Sequence, residues 1–222
     1  MNRKLVLFDC DGTILDSVGI IHDSMVRTFS EAGYAAPAQS ATRSIIGLTL
    51  DLAIARLLGR VVDSEVQTMT ARYKQHFHKL YARPDFEQSL FPGMADLVNG
   101  LAARDDVVLG IVTGKSRRGM EMFFDKHGFR DHFITVRTAD DCPSKPHPAM
   151  VLECCAETGF EPADSVVIGD SVFDMEMAKA AGAGAIGVAW GYNEVPLLRN
   201  AGADAIAATA DELTRMLERN DA

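Results

Sequence analysis

The chain has 222 residues, 47% of them hydrophobic and 24% charged, which suits one ample core, or a core with a small inserted second one, and excludes long disorder. Its 31 acidic and 22 basic residues leave a formal charge of −9, which argues against nucleic acid or an anionic membrane surface as the main partner. A small anionic substrate stays open, because overall charge is screened beyond roughly 8 Å at physiological salt and a local cation can dominate a cleft.

No stretch approaches the roughly 18 uninterrupted apolar residues of a membrane span. The basic start Met1 to Lys4 leads into an apolar run that ends at Asp9, short of the roughly 7–15 residues of a signal core, so the expected compartment is the cytoplasm. Cys10, Cys142, Cys154 and Cys155 show no C-x-x-C spacing and read as reduced, buried thiols.

Leu5 to Phe8 suit a buried parallel strand, and Asp9 and Asp11 stand at its end, where carboxylates are costly unless positive charge meets them. Gly12 and Thr13 then turn the backbone, so both acids are expected to converge on one crevice, one as nucleophile and the other as acid/base. The plainer alternative is a strand followed by a helix cap, with Asp11 or Ser17 holding backbone N–H groups.

Helices are expected over 17–32, 41–58 and 63–82. Such a helical block is too long for a single βαβ crossover and reads as an inserted cap, 17–83, within a core made of 1–16 and 84–222. The rest alternates: helix 94–103, strand 107–112, helix 116–127, strand 133–136, helix 148–158, strand 165–168, helix 172–181, strand 185–188, strand 205–206 and helix 211–219. The fold class is therefore α/β, a doubly wound, Rossmann-like parallel sheet interrupted once by helices.

The second strand ends in Thr113, Gly114 and Lys115, a hydroxyl and a glycine before a helix start, which are the parts needed to hold a phosphate oxygen. A P-loop is excluded because Leu109 stands where that motif requires glycine. Lys145, restrained by Pro146, is expected at the ligand edge to neutralise a transferring phosphoryl group, with His147 structural or exposed. Asp170 and Asp174 follow another buried strand at a helix start. The helix dipole stabilises anions by only about 0.3–1 kcal/mol, so this acid-rich edge calls for a divalent cation, and oxygen-only ligands favour Mg²⁺. Gly182 to Gly187 match G-x-G-x-x-G but close a helix and enter a strand, the reverse of a dinucleotide site.

These four segments, in this order, resemble the haloacid dehalogenase superfamily over nearly the whole chain, specifically its phosphatases with a helical cap, and within them the phosphoglycolate phosphatase group. The resemblance implies that Asp9 becomes an aspartyl-phosphate, that Asp11 protonates the leaving group and then activates water, and that Thr113, Gly114 and Lys145 bind the phosphoryl group. It further implies Mg²⁺ held by the Asp9 carboxylate, the Asp11 main-chain carbonyl and Asp170, with Asp174 in support. The substrate would be a small phosphorylated metabolite, and the protein a monomer or homodimer. A phosphomutase, a pyrophosphatase and a metabolite-binding regulator are the alternatives on the same scaffold. Substrate choice is expected in the cap, where 43–48 is the loop expected to face the active site and Arg43 the candidate for reading a distal anion; Lys115, Arg117 and Arg118 read as a solvated basic edge, and His22, His76 and His78 as structural.

Overall fold

The structure, a computed structural model, describes residues 3–87 and 89–219, the side chain of Arg219 excepted; Met1 and Asn2 of the basic start lie outside them. The first strand, β1 (Lys4–Phe8), is followed by a two-residue strand, β2 (Leu15–Asp16). Four helices come next: α1 (Val18–Glu31), α2 (Gln39–Arg43), α3 (Leu50–Leu58) and α4 (Ser64–Tyr81). The chain returns through β3 (Ser89–Leu90), α5 (Met94–Ala102), β4 (Val107–Val112), α6 (Arg117–His127) and β5 (Phe133–Arg137). It ends with α7 (Ala149–Thr158), β6 (Ser165–Gly169), α8 (Val172–Ala181), β7 (Gly184–Val188), α9 (Val195–Asn200), β8 (Ala205–Ala207) and α10 (Ala210–Arg219).

Six strands form one parallel sheet in the order β5-β4-β1-β6-β7-β8, the α/β architecture expected from the sequence. Alternation along β1 feeds both faces. Val6 and Phe8 pack with Met94, Leu97, Met120, Phe123 and Leu213, while Leu5 and Leu7 pack with Met150, Cys154, Met175 and Met177. A sheet covered on both sides needs apolar residues at every position of its central strand, and β1 supplies them. All four cysteines are free and buried in these layers or beside them.

Helices α1 to α4 pack on one another around a third apolar cluster that includes Ile20, Met25, Phe29, Ile54, Met69 and Leu80. Entry to and exit from this segment are held together by antiparallel pairing of β2 with β3, Leu15 opposite Leu90 and Asp16 opposite Ser89. Two-residue strands carry no readable period, and the sequence pattern does not reveal this pair; nor does it reveal α9.

One expected element is corrected. The helix anticipated over 41–58 is two, α2 and α3, with a turn at 44–49 between them. Gly47 breaks it: its φ of +106° favours glycine. Ile45 and Ile46 keep the helical spacing that misleads, but they are buried by the turn rather than by a helix.

Candidate active site

The chain runs from β1 outward through β4 to β5, then crosses back to β6 and continues through β7 to β8 on the other side. The crevice outside the carboxyl end of β1 is therefore the switch point of the sheet, where open α/β sheets bind ligands. Three adjacent strands end there and deliver Asp9, Thr113 and Asp170, each 1% exposed.

Lys145 reaches this floor from the loop before α7. Its ammonium lies 2.8 Å from Asp9 Oδ1 and 2.5 Å from Asp174 Oδ1, and the residue is only 1% exposed. The other Asp174 oxygen accepts from the N–H and hydroxyl of Ser171, at 3.1 and 2.6 Å, as part of the capping box that starts α8. Asp174 is thus committed on both oxygens, a supporting position. Asp170 accepts from the Thr13 hydroxyl at 3.1 Å and from the Tyr192 N–H at 2.8 Å. Asp9 is the least satisfied: its Oδ2 meets no hydrogen-bond donor among the described residues.

Electrostatics follow from this crowding. Burial, opposed by Lys145 and reinforced by Asp174, pushes the Asp9 carboxyl up to about 7. Burial, with Asp9 and Asp174 beside it, also raises Asp170 well above the carboxylate range. Burial alone would lower the Lys145 ammonium, but Asp174 and Asp9 outweigh it and raise it. The cluster holds more negative charge than one lysine balances, and a divalent cation would relieve it.

The residues fit such an ion. One carboxylate oxygen from each of Asp9, Asp170 and Asp174 lies within 4.8 Å of the others, an all-oxygen donor set of the kind Mg²⁺ takes. The turn after β1 is shaped for it: Gly12 has φ +92°, and a Cβ there would stand 2.3 Å from Asp170 Oδ2.

Asp11 is not part of that cluster. Its Oδ1 accepts from the Ser17 hydroxyl at 2.5 Å and from the Lys115 ammonium at 2.8 Å. Ser17 makes no side-chain cap to α1, so its hydroxyl serves Asp11 rather than the helix. The solvated reading of Lys115 is corrected here: its side chain is 8% exposed and lies across Gly119, where a Cβ would come 2.6 Å from Lys115 Cγ. Arg117 and Arg118 are exposed, as expected.

A cavity of about 410 Å³ opens above the acids, lined by Asp9, Asp11, Thr113, Gly114 and Lys115 below and by helices α1, α3 and α4 above. The turn at 44–49 closes one side. Gly114 permits it, since a Cβ at that position would stand 2.6 Å from the Leu48 carbonyl oxygen, and the Thr49 N–H donates to Ser144 Oγ at 2.9 Å. Ile45 to Leu48 line the cavity, but Arg43 does not: it is exposed at the end of α2. His78 lines the cavity; His22 bonds to Thr42 and His76 to Glu31, while His147 is exposed.

The loop after β7 is the part that sequence reasoning missed. The Tyr192 hydroxyl accepts from the N–H groups of Ser17 and Val18 at 2.9 and 3.0 Å, and Trp190 donates to the Thr13 carbonyl at 3.0 Å. It braces the turn after β1 from a distance of some 175 residues along the chain. The only sequence signal was two aromatic residues, Trp190 and Tyr192, directly after a strand that ends on the ligand edge.

Comparison with known proteins places this geometry. The haloacid dehalogenase-like hydrolase family model matches residues 6–188. A protein of Dickeya dadantii named probable phosphatase IndB is 30% identical, covering 95% of this chain and 92% of its own length. A phosphoglycolate phosphatase of Vibrio parahaemolyticus is 27% identical, with 97% and 95% covered. A hydrolase from Pseudomonas syringae, 22% identical, shares the fold with a TM-score of 0.85 over 98% of this chain and 99% of that one. The order of acids along the strand ends and the family match agree: this chain belongs to the haloacid dehalogenase-like hydrolases.

Proposed function

We propose that the protein is a Mg²⁺-dependent phosphatase of small phosphomonoesters that works through an aspartyl-phosphate on Asp9, with 17–83 as a cap over a core of 1–16 and 84–222. The observation that carries this reading is the Asp9 carboxylate: buried at the floor of the cavity, 2.8 Å from Lys145 and with Oδ2 unpartnered. An acid without a donor, aimed where a substrate sits, is free to attack. Relatives named as phosphatases over nearly the full length support the same reaction class.

Asp9, the main-chain carbonyl of Asp11 and Asp170 would hold Mg²⁺, which supplies positive charge to the phosphoryl oxygens when bound. Asp9 attacks phosphorus, the ester P–O bond breaks, and the leaving oxygen takes a proton from Asp11. Asp11 then removes a proton from water as that water attacks phosphorus. The P–O bond to Asp9 breaks, inorganic phosphate leaves and the carboxylate is restored. Thr113, the Gly114 N–H and Lys145 hold the phosphoryl oxygens as charge redistributes. Both donors to Asp11 meet its Oδ1, which leaves Oδ2 for the leaving group. The turn at 44–49, seated on Gly114, would keep bulk water from the intermediate.

Phosphate release from 2-phosphoglycolate, sugar phosphates, nucleotides and pyrophosphate, with and without Mg²⁺, tests the reading. Turnover that needs Mg²⁺ and falls at least a thousandfold in Asp9→Asn is expected. Isomerised sugar phosphate without net phosphate release would replace the phosphatase with a mutase.

A further inference from the structure

The cavity is larger and more apolar than transfer of a phosphoryl group requires. Its volume of about 410 Å³ lies within the range of pockets that take whole organic ligands. The wall facing the acids is built by Ile21 and Met25 of α1, Ile45 and Ile46 of the turn, and Tyr73 and Phe77 of α4. Five of these six are no more than 9% exposed, so they belong to the interior of the helical segment yet end on open space. Ala53 of α3, 3% exposed, lines the same cavity.

Thr49, Gln67, Thr70 and His78 also line the cavity, yet water against the aliphatic and aromatic part of the wall gains little there, and an apolar group that displaces it gains burial. The cations at hand give a second anionic group of a substrate little to bind. Lys115 is engaged by Asp11 and Arg43 lies outside the cavity, which leaves Lys74, a cavity-lining but solvent-exposed residue whose charge water screens. A two-carbon acid ester would reach only the floor.

We propose that the ester hydrolysed here carries an apolar-bodied leaving group, an alkyl or aryl alcohol of about four or more carbons, seated against the wall formed by α1, α4 and the turn at 44–49. The inference rests on the phosphatase reading for its phosphoryl end, and on cavity shape and lining for the rest. It departs from the two-carbon substrate named for the Vibrio relative.

Two measurements on the full chain with Mg²⁺ separate the two ideas. Calorimetric titration with methyl-, butyl- and hexylphosphonate, which cannot be hydrolysed, reads the wall without turnover. Affinity is expected to rise about fourfold per methylene, equivalent to ~0.8 kcal/mol each, until the cavity is filled. Phosphate release from the matching alkyl phosphates and from 2-phosphoglycolate reads the reaction, with kcat/KM expected to favour hexyl phosphate. Ala53→Leu is expected to flatten the chain-length slope in both. Equal affinity for the three phosphonates, or a preference for 2-phosphoglycolate over hexyl phosphate, would overturn the apolar leaving group while leaving the phosphatase intact. Graded phosphonate binding without release of phosphate from any ester would sustain the apolar wall and overturn the phosphatase reading.

Discussion

The floor and the roof of the cavity are built by opposite rules. The floor is charged and over-determined: Asp9, Asp170, Asp174 and Lys145 are each no more than 1% exposed, and all but Asp9 have hydrogen-bond partners in fixed directions. The roof is apolar and tied to the floor by scattered polar contacts, among them the Thr49 to Ser144 hydrogen bond, the Tyr192 hydroxyl at the start of α1, the Tyr81 hydroxyl donating to the Met122 carbonyl at 3.4 Å and the Arg56 guanidinium 5.4 Å from the centre of the Phe173 ring. A rigid sheet edge suits chemistry that tolerates little displacement, whereas a lightly tied helical layer can move and can change its lining without disturbing the acids.

The sharpest way to break the floor is Lys145→Met. It leaves two buried carboxylates without their shared cation, and truncating one member of a buried ion pair costs about 3–5 kcal/mol. Denaturant unfolding of the metal-free protein should show that loss, about 10 °C in Tm for a chain of this size.

The pH dependence sharpens the same contrast. Asp9 has its carboxyl raised from 3.8 to about 7, first by burial, with Lys145 opposing and Asp174 and Asp11 adding. A raised acid contributes its stability fully below the unfolded value and loses it as pH climbs through the folded one. In chelator, wild type and Asp9→Asn should therefore have similar Tm near pH 4, and the Asn variant should be the more stable near pH 8. Mg²⁺ should remove the difference by stabilising the wild type. A less stable Asn variant near pH 8 would contradict the charge excess described for this floor.

Tyr192→Phe probes the brace between them. Removing the hydroxyl leaves the N–H groups of Ser17 and Val18 without their acceptor at the start of α1, at a cost of about 1–3 kcal/mol. Hydrogen exchange should rise at those two amides more than in β1 or β6. The smallest effect is expected for Arg43→Ala: an exposed side chain outside the cavity should alter kcat/KM by less than about twofold.

The floor was more legible than the roof because it is written locally. Asp9, Thr113 and Asp170 each follow a continuous apolar run, and a run that ends in polar residues announces a strand reaching the ligand edge. The direction of Lys115 was not legible, because it depends on Gly119 four residues on and on Asp11 a hundred residues back. The loop at 43–48 was readable as one side of the site, but not the break it makes in the helix, since Ile45, Ile46 and Leu48 keep a helical spacing while Gly47 takes a positive φ. The brace from Tyr192 has no local signature, since its partners lie at the opposite end of the sequence. Arg43 has the chemistry to read an anion, but its exposed place at the end of α2 outside the cavity follows from packing and not from any local pattern.

On the proposed mechanism a carboxylate oxygen of Asp9 takes the phosphoryl group. Rapid acid quench of the Mg²⁺-loaded protein during turnover of a hydrolysed ester, followed by peptide mass spectrometry, tests it most directly. One phosphoryl group is expected on the peptide bearing Asp9, and borohydride should reduce the aspartyl-phosphate there to homoserine, a product absent in Asp9→Asn. Steady turnover with the phosphoryl group on another residue would contradict it.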